Sequence, residues 1–300
     1  MNKQKTLIVV VGPTAIGKTA LGIKLAQYFN TEIISADSRQ FFKEMAIGTA
    51  VPDKEELAAA PHHFIQNISI EQKYSVGDFE KEALIKIDEL FANNDYALMV
   101  GGSGLYVDAV CNGLDKFPSV TAEAKEHVTK VLETDGLEGL VTILKEKDPK
   151  QYEVTALQNP HRVQRIVEVC LSSDQPYSSF LTKHKTVRPF NIIKIGIKAD
   201  REIIYDRINK RVHIMIENGL LEEAKALIPS KHLNALNTVG YKELFDYFDG
   251  NIELDFAISE IQKNTRRFAK RQLTWYRKDA TINWFDYSYN LEDIIRVIKN

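Results

Sequence analysis

The residues best suited to chemistry stand near the start of the chain. Gly12, Pro13, Thr14, Ala15, Ile16, Gly17, Lys18 and Thr19 match the pattern G-x-x-x-x-G-K-[ST] in full. The two glycines let the backbone curl so that its N–H groups point inward, and a helix beginning there adds positive potential for phosphate. Lys18 is placed to reach terminal phosphates, and the Thr19 hydroxyl to ligate Mg²⁺. A nucleoside triphosphate is the default occupant, although any diphosphate satisfies the same donors. Asp37, within Ser35-Ala36-Asp37-Ser38-Arg39-Gln40, is the second candidate. A carboxylate facing a phosphate loop serves as a general base or holds a metal through water; the bland alternative is a helix cap.

Two further patterns each carry two readings. Val100-Gly101-Gly102-Ser103-Gly104-Leu105-Tyr106 is not a dinucleotide fingerprint. It is either a turn that needs positive φ or a place where a substrate approaches the backbone closely. Arg207 and Arg211, four apart, share one helix face. They either close over leaving phosphates, where charge develops, or form a solvated face paired with Glu202 and Asp206.

Strands alternating with helices must position these groups. Residues 7–11 form a buried-strand pattern that breaks at Gly12, and a helical period resumes from Lys18 through Leu21, Ile23, Leu25 and Ala26. Strand-like runs at 32–35 and 96–100 flank a helical stretch at 78–91. This order predicts an α/β fold with a phosphate-loop parallel sheet at its core, where ligands bind outside the carboxyl ends of the strands. From 121 to 185 amphipathic helix dominates, punctuated by Pro149, Pro160 and Pro176. A strand at 192–197 follows, then helix almost continuously to 278, then a last strand at 282–285. The expected organisation is therefore a core of 1–120 and 186–300 with helical C-terminal elements, interrupted by a helical insertion at 121–185.

Length and composition agree. At 300 residues, 44% apolar and 27% charged, the chain reads as an ordinary globular protein of about two structural units. Cys111 and Cys170 stand alone, which removes disulfide frameworks and structural zinc. The apolar run at 7–11 is too short for a signal peptide and no window approaches ~18 apolar residues, so no membrane span is expected and a cytoplasmic location is. The net charge of −2 conceals asymmetry: residues 53–95 sum to −6, whereas 261–278 hold seven basic residues and no acid. In that second stretch Arg266/Lys270 and Arg267/Arg271 are four apart, beside Trp275 and Tyr276. This basic stripe suits an RNA backbone and unstacked bases, or else is a solvated or anion-facing helix. Arg162 and Arg165 add a smaller basic face in the insertion.

Together these residues resemble the bacterial tRNA dimethylallyltransferases. The resemblance rests on the 12–19 loop, Ala36-Asp37-Ser38-Arg39-Gln40, Gly48-Thr49-Ala50-x-Pro52, Pro61-His62-His63, Tyr74-Ser75-Val76-x-Asp78-Phe79 and Gly101-Gly102-Ser103-x-Leu105-Tyr106. Asn159-Pro160-x-Arg162-x-x-Arg165, Gly240-Tyr241-Lys242-Glu243 and Lys270-Arg271-Gln272-x-Thr274-Trp275 continue it. Individually most are weak; their order from residue 7 to about 278 is specific. The resemblance implies that the loop holds dimethylallyl diphosphate with Mg²⁺ on Thr19, and that the N6 amine of adenosine 37, in tRNAs reading codons that begin with U, attacks the allylic carbon. Asp37 would take the amine proton, with Lys18, Mg²⁺ and Arg211 stabilising the leaving charge.

Further residues match the family's tRNA side. They are Asp37, Ser38, Arg39, Gln40, Ser103, Lys125, His161, Arg162, Val163, Gln164, Arg165, Asn237, Thr238, Val239, Gly240, Tyr241, Lys242 and Arg271. The basic helix and the insertion would grip the anticodon stem-loop of one tRNA, the enzyme acting as a monomer, with the acidic 53–95 region turned away. The sequence departs from the family where Val51 replaces a usual lysine, Ser103 a common threonine, and Ile166-Val167 a more typical Ala-Leu. The zinc finger of eukaryotic relatives has no counterpart here. A small-metabolite kinase, an adenylate dimethylallyltransferase and a phosphate-loop RNA-binding regulator share parts of this set, but none of them uses Asp37, the insertion and the basic helix together.

Overall fold

The computed structural model describes residues 4–182 and 186–300. The chain divides into two compact units, Met1–Asn112 with Arg188–Asn300, and Gly113–Val187. The sequence reading set the junctions at 120/121 and 185/186; residues 183–185 lie outside the described residues.

The first unit begins with β1 (Thr6–Val11), α1 (Lys18–Phe29), β2 (Ile33–Ser35), α2 (Lys54–Ala59), β3 (His62–His63), α3 (Val76–Asn93), β4 (Tyr96–Gly101) and α4 (Gly104–Asn112). The second unit holds α5 (Ala122–Thr134), α6 (Gly136–Lys147), α7 (Pro149–Val154) and α8 (Pro160–Ser173). The first unit resumes with β5 (Asn191–Lys198), α9 (Arg201–Glu217), α10 (Leu220–Ala226), α11 (Tyr241–Phe248), α12 (Leu254–Tyr276), β6 (Ile282–Asp286) and α13 (Leu291–Lys299). Its six strands form one parallel sheet in the order β3-β2-β4-β1-β5-β6. The short edge strand β3 has no periodic signature, since two residues are too few to show one.

Burial explains the sheet. Every residue of β1 is buried, as expected of a parallel strand covered on both faces. Leu7, Val9 and Val11 point into one core with Phe79, Ala83 and Ile87 of α3 and Val107 and Val110 of α4. Ile8 and Val10 point into the other with Leu21 and Leu25 of α1, Ile204 and Ile208 of α9, and Ile294 and Ile298 of α13. A third core packs α9 to α12 around Tyr241, Leu244 and Ile261.

The helical unit has its own core of Val128, Leu140, Leu144, Val163, Ile166, Val167 and Cys170. Helix α8 begins with Asn159 accepting from the Arg162 N–H at 3.1 Å and with Pro160 in its first turn, the capping chemistry those residue types favour.

Candidate active site

Three strand ends deliver the candidate residues side by side. Val11 pairs with Gly101, and Ser35 with Val100. The 12–19 loop, Asp37 and the Gly102–Ser103 turn therefore leave the same carboxyl edge, where the chain runs from β1 to β2 on one side while β5 pairs on the other. Main-chain bonds lock the segments together: Ala36 N–H donates to Val100 O at 2.8 Å and Ser103 N–H to Ala36 O at 3.2 Å.

The loop has the features of an anion site. Gly17, at φ 103°, enters α1 with no capping side chain, and the helix's first turn contains no acid. Its first N–H groups are thus left for a ligand. Ala15 adopts φ 62°, a strained conformation for a residue with a side chain, and the surroundings hold it there. Arg207 Nε donates to the Ala15 carbonyl at 2.7 Å, and Arg211 Nη1 to Thr14 Oγ1 at 3.3 Å. The helical spacing of this pair therefore fastens both guanidinium groups to the loop. Asp206 pairs with Lys210 instead, at 2.8 Å; Arg211 is half-buried, whereas Arg207 stays exposed to solvent even while bonded to the loop.

Lys18 Nζ donates to Pro13 O at 2.8 Å. Desolvation beneath the loop lowers its pKa to about 8; Asp37 works against that shift and Arg211 adds to it. Asp37 Oδ1 accepts from Arg39 N–H at 3.1 Å within a turn; no helix starts there, so the carboxylate is not a helix cap. Ser38 N–H donates to Ser103 Oγ at 3.0 Å, and the two hydroxyls bond at 3.1 Å.

The glycine turn departs from the positive-φ reading. Gly101, Gly102 and Gly104 are not among the positive-φ residues. What they admit is the protein itself: a Cβ at these positions would collide with the Ala36 carbonyl, the Gln272 carboxamide and the Trp275 ring, respectively.

Two cavities open at this edge. The first, about 610 Å³, is lined by residues 14–19 of the loop, Asp37, Gln40, Val51, Asp53, Glu56, Arg207 and Arg211; Gly12 and Pro13 are buried behind it. Part of the acidic 53–95 region thus borders the phosphate loop. The second, about 720 Å³, is lined by Ser38, Arg39, Ser103, Asn237, Thr238, Val239, Gly240, Lys242, Phe268, Arg271, Gln272 and Trp275 among others. Thr14, Asp37, Thr49 and Arg211 belong to both and form the partition between them.

Several residues expected on an RNA-facing surface sit elsewhere. The Tyr241 side chain is fully buried, its hydroxyl donating to Glu223 Oε1 at 2.6 Å. It serves the third core while its neighbours line the cavity. Gln40 borders the first cavity, and its Nε2 is committed to the Thr49 and Ala50 carbonyls at 3.2 and 2.7 Å. In the helical unit Lys125, His161, Arg162 and Arg165 are exposed and Gln164 is half-buried, but the Val163 side chain is wholly inside that unit's core. Val163, Ile166, Val167 and Cys170 follow the i, i+3, i+4, i+7 period of a buried stripe.

The basic stripe of α12 also divides. Arg266 donates to Asn209 Oδ1 at 2.7 Å and lies over the Tyr205 ring, Lys263 pairs with Glu260, and Arg267 bonds Asn264. Arg271, over the Phe268 ring, faces the second cavity.

Gln272, which carries no role of its own in the sequence pattern, touches both halves of the site. It accepts from Thr14 N–H at 2.8 Å and donates to Gly102 O at 3.0 Å. A readable signal existed: Gln272 interrupts the buried stripe of Ala269 and Tyr276, and a buried amide must find partners. Trp275, the aromatic expected beside the basic stripe, donates from Nε1 to Asp108 Oδ2 at 2.8 Å and borders the second cavity.

The 12–19 loop precedes the 40–279 span matched by the model of the IPP transferase family. The chain is 60% identical, over 98% of its length and 97% of the relative's, to the tRNA dimethylallyltransferase of Christiangramia forsetii. Among solved structures it resembles the full-length tRNA isopentenylpyrophosphate transferase of Bacillus halodurans, with TM-score 0.71 and 35% identity, covering 98% of this chain and 94% of that one. It also resembles a eukaryotic dimethylallyltransferase acting on tRNA, with TM-score 0.82 and 25% identity, covering 94% and 74%. On sequence, fold and site architecture together, the chain belongs to the IPP transferase family.

Proposed function

We propose that this chain is a tRNA dimethylallyltransferase that joins the dimethylallyl group of dimethylallyl diphosphate to N6 of adenosine 37, in tRNAs reading codons that begin with U. The observation that carries the reading is the pair of cavities meeting at Asp37, Thr14 and Arg211. One contains a phosphate loop and the other is bordered by Arg39, Lys242 and Arg271.

The chemistry follows from the groups at the partition. The adenine amine is a weak nucleophile because its lone pair is delocalised into the ring, so positioning and charge stabilisation must supply most of the rate. The amine nitrogen forms a bond to the allylic carbon as the carbon–oxygen bond breaks. The electron pair leaves with pyrophosphate, and Asp37 takes the amine proton. Lys18 and Arg211 face the charge developing on the leaving group. Reaching this point requires the base to leave the anticodon-loop stack and enter the second cavity.

Mg²⁺ fits the same reading. It needs few protein ligands when phosphates supply oxygens, and Thr19, whose hydroxyl would hold it, borders the first cavity. When bound, it would neutralise diphosphate charge. The exposed Lys125, His161, Arg162 and Arg165 of the helical unit supply a basic face for the anticodon stem-loop. The enzyme would act as a monomer in the cytoplasm; among the described residues no helix is long and apolar enough to cross a membrane.

The test is incubation with unmodified tRNA, dimethylallyl diphosphate and Mg²⁺, followed by nucleoside mass spectrometry. The expected product is adenosine 37 carrying one added dimethylallyl group. Product on free AMP, or phosphate transfer to a metabolite, would overturn the reading.

A further inference from the structure

Gln272 occupies a place on α12 where an apolar residue is expected. Ala269 precedes it by one turn, Tyr276 follows by one, and all three are buried, Gln272 at 6% exposure. Both ends of its carboxamide are engaged: Oε1 by Thr14 N–H at 2.8 Å and Nε2 by Gly102 O at 3.0 Å. Thr14 borders both cavities, and its hydroxyl is the group that accepts from Arg211. Gly102 borders the second cavity, and its lack of a side chain is what lets the carboxamide in. One side chain thus spans the gap between the loop that would hold the diphosphate and the turn that would border the adenine. The next residue back on the helix is Arg271.

We propose that Gln272 is a positioning residue for prenyl transfer, an inference that rests on the function proposed above. It fixes the separation of the 12–19 loop from the Gly102–Ser103 turn, and so the line between leaving oxygen and attacking amine, while touching neither. The same contact withdraws the Thr14 N–H from phosphate binding, where a bare loop of this pattern would aim it inward. Removing the carboxamide therefore does two different things. It frees a donor for the diphosphate, and it lets the two halves of the site slip relative to each other. Donor affinity holds or improves while the chemical step slows. A residue that merely stabilised the fold would weaken donor and RNA binding together.

The experiment compares the full-length wild type with Q272L, which removes both polar contacts at similar volume, and Q272M, which removes them while keeping the unbranched shape. Binding of dimethylallyl thiodiphosphate is measured by calorimetry, and single-turnover transfer to an unmodified anticodon stem-loop RNA is measured with both substrates saturating. The transfer rate is expected to fall ~10- to 10²-fold in both variants, the scale of loss for a small misplacement of reacting groups. Donor Kd and RNA KM should stay within about twofold of wild type or improve, the signature of an effect on the transition state alone. A saturated rate within about threefold of wild type overturns the proposal, as does a weakening of donor and RNA binding together by more than about threefold. If Q272L fails to fold, Q272M, unbranched and close in volume to the native residue, decides. Failure of the wild type to prenylate RNA would overturn the functional reading separately. In that case the donor Kd still reports on Gln272: tighter binding in Q272L supports its hold on the loop, and weaker binding refutes it.

Discussion

Lys18 allows the diphosphate reading to be tested with a titration. Its ammonium is folded beneath the phosphate loop against the Pro13 carbonyl, and burial brings its pKa down to about 8. A bound diphosphate stabilises the charged form and raises that pKa. The protonated side chain is therefore the binding form, its contribution complete below about pH 7 and declining from about pH 8 up to the higher pKa of the complex. With a pKa of about 8, the charged fraction in the free chain drops from about nine-tenths at pH 7 to about one-eleventh at pH 9. The donor Kd should rise ~10-fold over that range, about 1.4 kcal/mol. Calorimetric titration with dimethylallyl thiodiphosphate at fixed ionic strength and saturating Mg²⁺, in two buffers of different ionisation enthalpy, reads both the affinity and the proton taken up. Lys18→Gln should bind weakly at every pH and lose the slope. A flat wild-type profile from pH 7 to pH 9, or the same slope in Lys18→Gln, would refute the reasoning.

Three other outcomes follow from particular contacts. Asp37→Asn should lower the transfer rate by ~10²–10⁴ with donor and RNA binding little changed; an unaltered single-turnover rate would remove Asp37 as the base. Arg271→Ala should weaken tRNA binding and reduce the salt dependence of log K by ~1, whereas Arg266→Ala, whose guanidinium is engaged by Asn209 and Tyr205, should leave that slope alone. Equal slopes for the two variants would contradict the division of the basic helix. Glu223 accepts from the N–H groups of Ala46, Ile47 and Gly48 at 3.0, 2.8 and 2.9 Å and from the Tyr241 hydroxyl. Glu223→Ala should therefore cost at least ~2 kcal/mol in urea denaturation, because these partners lose their acceptor.

What the sequence made legible is what short spacing controls. The phosphate loop lies between β1 and α1 because an apolar run, two glycines and a helical period follow one another within 20 residues. Arg207 and Arg211 face the loop because four residues are about one helical turn. Asp37 was placed by its position at a strand end, a rule of parallel sheets. The rest depended on distant packing. Gln272 reaches Thr14 across 258 residues of chain, and no local period announces such a pair. Tyr241 and Val163 lie within segments otherwise at or near the surface, and a segment match cannot tell which side chains turn inward. Arg266 looked equivalent to Arg271 on charge alone; the side of α12 facing α9 separates them. At the glycine turn the sequence leaves positive φ and close approach equally open, because the neighbours that need the space, Ala36, Gln272 and Trp275, come from other segments.

The partition formed by Thr14, Asp37, Thr49 and Arg211 bears on how such an enzyme could be inhibited. With one chamber on each side, a diphosphate and a nucleoside can be seated together without contesting the same volume. Pyrophosphate would accordingly compete with the prenyl donor and not with the RNA. A single compound carrying both groups, joined by a linker just long enough to pass Asp37, would occupy both chambers at once. Its second group would bind at the high effective concentration that a short tether provides, so its affinity would exceed that of either half, and it would select for proteins in which these two chambers share a wall.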